Sequence, residues 1–150
     1  MAMMSGAYVA QIAIGANQAQ AIRAFREAEA FDGPSIILAY APCIAHGFAL
    51  QNGVEHQINL VNTGAWPLYR FNPENLSREQ NPLTMDSHVD TPFPLEEFMK
   101  SETRFAAARS VNPNFDRLVE QAKANNLYKT ELKQHIANFT VKVNKDNGEG

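Results

Sequence analysis

No Asp, Glu, Lys or Arg occurs between Met1 and Ile22, nor between Gly33 and Val54. A domain that folds alone spreads charge over its outer surface, so two such stretches need cover on both sides. Their lengths would serve a transmembrane helix, which takes roughly 20 mostly apolar residues. Their sequences would not: Ser5, Gly6, Gln11, Gly15, Asn17 and Gln18 interrupt the first, and Pro34, Pro42, His46, Gly47, Gln51, Asn52 and Gly53 the second. No basic residue precedes the first stretch, as a secretory signal would require. Parallel strands, which are buried on both faces, accommodate both stretches. The charge distribution agrees, since residues 1–73 carry only Arg23, Arg26, Glu27, Glu29, Asp32, Glu55 and Arg70. A half-chain so poor in charge reads as a piece of something larger.

Partners are narrowed by the same arithmetic. With 150 residues, a net charge of −3 and no run of Lys or Arg, the chain has neither the basic footprint of a nucleic-acid binder nor that of an anionic-membrane binder. Cys43 has no second cysteine to pair with. A disulfide scaffold is therefore excluded, and a reducing, cytoplasmic compartment is the default.

Tyr8 to Ile14 is short, apolar and β-branched, and ends at Gly15-Ala16-Asn17, which predicts a buried strand, a turn and a helix N-cap at Asn17. From Gln18 to Ala30 the residues Ala21, Ile22, Phe25 and Ala28 recur at helical spacing, with Arg23, Arg26, Glu27 and Glu29 opposite. Asp32-Gly33-Pro34 stops that helix, and Ser35 to Tyr40 reads as a second buried strand. The unit is βαβ, a right-handed crossover between parallel strands. Ala41 to Gly47 reads as a loop, Gln57 to Val61 as a short helix and Trp66 to Phe71 as a third strand, while Glu74 to Pro94 reads as a surface connection. Leu95 to Ala108 and Phe115 to Ile136 each have one apolar stripe and predict amphipathic helices. The expected fold class is α/β, a partial parallel βαβ sheet with C-terminal helices. The expected organisation is an α/β portion over 1–73, a connection and helices over 74–143, and a disordered tail over 144–150.

Such sheets bind ligands outside the carboxyl ends of their strands, which directs attention to Gly15-Ala16-Asn17 and to Ala41–Gly47. Neither is a phosphate-binding glycine loop, and no nucleophile elbow, His-Glu-x-x-His pair or Cys-x-x-Cys pair occurs. Cys43 has an ordinary reading as a small buried hydrophobe. With His46 it forms a Cys-x-x-His pair, but structural zinc needs four ligands, and His56, His88 and His135 are not at ligand spacing. A thiolate at a strand end among Pro42, Ile44 and Ala45 would also suit an iron–sulfur cluster, although that takes further cysteines which the chain lacks. Trp66, Tyr69, Arg70 and Phe71 read as strand packing with Arg70 lying over a ring, and Glu96, Glu97 and Glu102 as a solvated helix face.

Several motifs in fixed order carry a resemblance. They are Tyr8 to Asn17, Ala24-Phe25-Arg26-Glu27-Ala28-Glu29-Ala30, Gly33-Pro34-Ser35, and Ala39-Tyr40-Ala41-Pro42-Cys43-Ile44 with His46-Gly47. They continue in Trp66 to Pro73, Asn81-Pro82-Leu83, Asp86-Ser87, Glu97-Phe98-Met99 and Arg104-Phe105. Over roughly residues 7–110 the chain resembles the C-terminal part of pyruvate:ferredoxin (flavodoxin) oxidoreductase, at the end of its thiamine-diphosphate-binding domain. That family oxidatively decarboxylates pyruvate in the presence of coenzyme A to acetyl-CoA, using thiamine diphosphate with Mg²⁺. Its electrons pass through [4Fe–4S] clusters to ferredoxin or flavodoxin. The resemblance implies that Cys43 is the last of the four thiolates on the cluster nearest the thiamine, and that the complete enzyme is a homodimer.

Departures accompany the resemblance. The family's Gly-Asp-Gly motif and its other cluster cysteines lie upstream of the match and are absent here, so no thiamine diphosphate or cluster is expected in the isolated chain. After His46-Gly47 the family carries a glycine- and lysine-bearing stretch, where this chain has Phe48 to Val54. The expected function is that of a fragment completed by the remainder of the oxidoreductase. A noncatalytic assembly remnant of the same family, an oxidoreductase acting on another 2-oxo acid, and an autonomous flavodoxin-like binding domain are the alternatives.

Overall fold

The computed structural model describes residues 1–87 and 92–124. Its centre is a mixed sheet in the order β2-β1-β3-β4, made of β1 (Tyr8–Ile12), β2 (Ser35–Ala39), β3 (Tyr69–Phe71) and β4 (Leu83–Met85). The β1–β2 pair is parallel, as the βαβ pattern requires, with Tyr8 opposite Ser35 and Ile12 opposite Ala39. β3 and β4 extend the other side as antiparallel neighbours. The fold class is α/β with C-terminal helices, and its sheet holds one parallel pair.

Between the parallel strands runs α1 (Gln18–Ala30), started by the Asn17 side chain, which accepts a hydrogen bond from the Gln20 amide at 2.9 Å. That cap satisfies one of the amides a first helical turn leaves open. Tyr8, Ala10 and Ile12 alternate onto the α1 side of the sheet and pack with Ala21 and Ala24. Small residues on the helix let it settle close to those large strand residues. The apolar stripe expected through Ile22 and Phe25 is displaced: these are 59% and 53% exposed, and Gln20, Ala21 and Ala24 turn inward instead. On the opposite sheet face Ala7, Val9 and Phe71 form a second cluster, with Ala2, Met3, Tyr69 and Leu83 against it.

Ser35–Ala39 forms as a strand but is not buried. It is the sheet edge, its outer side pairs with no described strand, and Ile36 and Leu38 are 41% and 42% exposed. Both lie on the Val9 face in register with Val9 and Gln11, beyond the reach of the cluster there. Only Ile37, on the other face, packs against the α1 core.

The third strand is shorter than Trp66–Phe71, and the Glu74–Pro94 connection contains structure: α3 (Glu74–Ser77) and β4. The short helix expected at Gln57–Val61 is α2 (Gly53–Asn62). The helix expected from Leu95 to Ala108 divides into α4 (Leu95–Lys100) and α5 (Thr103–Val111), with Ser101 and Glu102 at the break. α6 (Phe115–Ala124) matches the start of the last expected helix. The remainder of that helix, the 144–150 tail, His88 and His135 lie outside the described residues. Among the described residues no helix is long and apolar enough to cross a membrane.

Candidate functional site

β1 and β2 are parallel, so the two loops leaving their carboxyl ends lie at one edge of the sheet. The first, Gly15-Ala16-Asn17, is tied to α2, because Gln57 Oε1 accepts the Gly15 amide at 2.9 Å. The Trp66 indole reaches the same edge, donating to the Ile12 carbonyl at 3.1 Å. Tyr40, just past β2, stands 5.8 Å from the Trp66 ring and 6.4 Å from that of His56. An aromatic wall thus closes the carboxyl end of the parallel pair.

Against this wall rests the second loop. After β2 the chain passes Pro42, is extended at Cys43, and then makes a short 3₁₀ turn at Ile44–His46. The His46 amide donates to the Cys43 carbonyl and the Gly47 amide to the Ile44 carbonyl, each at 2.9 Å. Gly47 ends the turn at φ 79°, the left-handed region that favours glycine. A β-carbon there would sit 1.8 Å from Thr103 Oγ1, so glycine is needed for closeness as well as for conformation. Cys43 is exposed, which removes its reading as a buried hydrophobe and leaves the thiol open to solvent or to another chain segment.

Beneath the turn lies Glu102, expected on a solvated helix face and found 1% exposed. Burying a carboxylate costs several kcal/mol unless other groups compensate. Here His56 Nε2 lies 2.7 Å from Glu102 Oε1, and Arg104 Nε binds the other oxygen. A carboxylate only accepts, so His56 Nε2 carries a proton and donates to Glu102. The His56 ring is stacked on Phe48 at 4.1 Å and tilted against Phe98 at 4.6 Å. His46 Nδ1 also faces Glu102, at 3.8 Å. The hollow lined by Phe48, His56 and Ser101 measures about 180 Å³, below the few hundred Å³ of a small-molecule pocket.

The other candidates separate. Arg70 lies over no ring among the described residues; Nε and Nη2 grip the Asp86 carboxylate at 2.8 Å each, and Nη1 pairs with Glu27. Trp66 belongs to the aromatic wall, whereas Phe71 is in the core on the Val9 face. Glu96 and Glu97 are exposed as expected. Among the described residues no three His, Cys, Asp or Glu side chains converge as a metal site, and Cys43 offers one thiolate toward a cluster of four. Glu102 was not legible as a buried residue, because a glutamate placed off the apolar stripe of an expected helix has the pattern of its solvated face.

No family model matches the chain. Curated relatives do, and their class is oxidoreductase. Pyruvate-flavodoxin oxidoreductase of Nostoc sp. is 43% identical over 139 residues, which is 91% of this chain and 12% of the relative. The probable pyruvate-flavodoxin oxidoreductase of Escherichia coli is 37% identical over 97% of this chain and 12% of its own length. Pyruvate:ferredoxin oxidoreductase of Moorella thermoacetica is 39% identical over 90% of this chain and 11% of its own. The chain is homologous to one segment of the pyruvate-flavodoxin and pyruvate:ferredoxin oxidoreductases, and spans about an eighth of their length.

Proposed function

We propose that this chain acts as one segment of a pyruvate:ferredoxin/flavodoxin oxidoreductase, contributing Cys43 to an iron–sulfur centre that the remainder of the enzyme completes. The exposed Cys43 thiol carries the reading: it stands at the carboxyl end of a parallel strand pair, without a second thiol in the chain. A [4Fe–4S] cluster takes four thiolates, so three must come from elsewhere. When bound, the cluster supplies one-electron steps toward ferredoxin or flavodoxin. This chain's own residues would hold one corner of it, with Pro42, Ile44 and the 3₁₀ turn setting the backbone around the thiolate.

In the complete enzyme the overall change is pyruvate and coenzyme A to acetyl-CoA and carbon dioxide, the released electrons passing to the acceptor. Thiamine diphosphate and Mg²⁺ belong to the remainder, because the motif that holds them is not in this sequence. The alternative of a noncatalytic assembly module draws on the open edge and face of β2.

A complementation assay separates the two readings. A relative's oxidoreductase lacking its homologous segment is combined with this chain, and pyruvate-dependent acceptor reduction is followed. Restored reduction is the expected result. Stable association without any reduction would favour the assembly module and contradict the catalytic reading.

A further inference from the structure

We infer that Glu102 is a positioning residue for the Cys43 loop, its buried carboxylate forming the seat on which His46 and Gly47 dock. The inference takes its purpose from the reading of Cys43 as a ligand, but its geometry stands independently.

Glu102 lies between α4 and α5 and is met from several directions. His56 comes from α2 at 2.7 Å, Arg104 from α5, Tyr40 from the end of β2 with its hydroxyl at 3.5 Å, and His46 from the loop at 3.8 Å. His56 and Arg104 compensate the buried carboxylate and hold it still. His46 uses it differently. Its Nδ1 is buried and makes no hydrogen bond to the described residues, a costly state, and Glu102 Oε1 stands within 4 Å of it. A contraction of under about 1 Å would bring that pair to hydrogen-bond distance. Beside it the Thr103 amide points to the Gly47 carbonyl at 3.4 Å, and the Gly47 α-carbon packs where no side chain would fit. The far end of the loop therefore rests on residues 102 and 103.

Two turn bonds transmit that placement to Cys43. His46 amide to Cys43 carbonyl and Gly47 amide to Ile44 carbonyl make the segment a single tight turn, so fixing His46 and Gly47 fixes the backbone at Cys43. Groups that orient a ligand residue without touching the metal have large effects on metal sites. This is such an arrangement, built from a residue distant in sequence.

Because Cys43 is the only cysteine, a nitroxide attached to it reports this loop alone in the full 150-residue chain. Amide exchange at His46 and Gly47 is read in unlabelled protein, and exchange in β1 serves as the measure of global folding. Glu102→Gln keeps the shape and removes the charge. Its expected result is a more mobile label spectrum and roughly tenfold faster exchange at His46 and Gly47, with β1 unchanged. Glu102→Asp, which retains a carboxylate, is expected to recover part of the restriction, as a role in filling space would not. An unchanged label spectrum and unchanged exchange in Glu102→Gln would overturn the inference. If that variant loses β1 protection, His46→Ala decides, since it leaves the His56 and Arg104 contacts to Glu102 in place. A mobile label there supports the inference, and an immobile one overturns it. A mobile label together with a harmless loss of the Cys43 thiol would leave this inference standing and remove the ligand reading.

Discussion

Tyr8 is fully buried and still ends in a hydroxyl, which donates to Glu27 Oε2 at 2.9 Å. Glu27 pairs with Arg70, Arg70 grips Asp86, and Gln20 Nε2 donates to Asp86 at 3.2 Å, so one polar chain ties β1, α1 and β3 together. Burial and the adjacent Glu27 carboxylate push the Tyr8 hydroxyl above its usual range, and burial raises Tyr40 and Tyr69 as well. The folded chain then holds those protons at pH values where the unfolded chain has released them. That contribution is complete below about pH 10 and is lost as pH rises through the folded values. Tyr8→Phe is expected to cost about 1 kcal/mol at neutral pH and to make the alkaline loss of stability shallower, as read by urea denaturation at pH 8 and pH 10.5. An equal or steeper alkaline loss would contradict this assignment. At this scale legibility followed chemistry. Cys43 stood out because its type is rare and its loop follows a strand, whereas Glu102 and Arg70 did not, since charged residues have the same sequence pattern whether solvated or buried in a pair.

The β1–α1–β2 unit was readable because each part has its own signal: a β-branched run, an Asn17 cap, a Gly33-Pro34 stop. β4 lacks such a signal, since three residues among polar neighbours show no period, and only pairing with β3 makes them a strand. The break at Ser101–Glu102 was hidden because the apolar stripe continues across it; α4 ends at Lys100, α5 begins at Thr103, and Glu102 between them is buried. β2 shows what sequence cannot resolve. A run such as Ser-Ile-Ile-Leu-Ala specifies a strand suited to burial, but not whether its cover is within the same chain. With Ile36 and Leu38 both exposed beside an edge that pairs with no described strand, the chain is expected to bind a hydrophobic dye and to self-associate. Replacing both with Thr is expected to lower dye binding and light scattering, with a stability change within about 1 kcal/mol. Unchanged dye binding in that double variant would place the apolar surface elsewhere, the exposed Ile22 and Phe25 on α1 being the next candidates.

As a whole, the molecule is a four-stranded sheet whose β2 edge pairs with no described strand and carries exposed Ile36 and Leu38, with a lone thiol at the carboxyl end of its parallel pair. Its curated relatives are oxidoreductases of which it spans 12%. These features fit a segment whose chemistry is shared with the rest of a larger enzyme. The most direct test is electron paramagnetic resonance of the complemented oxidoreductase, reduced with pyruvate and coenzyme A, comparing this chain with its Cys43→Ala variant. The variant is expected still to associate and to bind thiamine diphosphate, while one cluster signal is lost or converted to that of a three-iron centre and acceptor reduction falls roughly tenfold or more. Unaltered cluster signals with full acceptor reduction in Cys43→Ala would contradict this reading of Cys43.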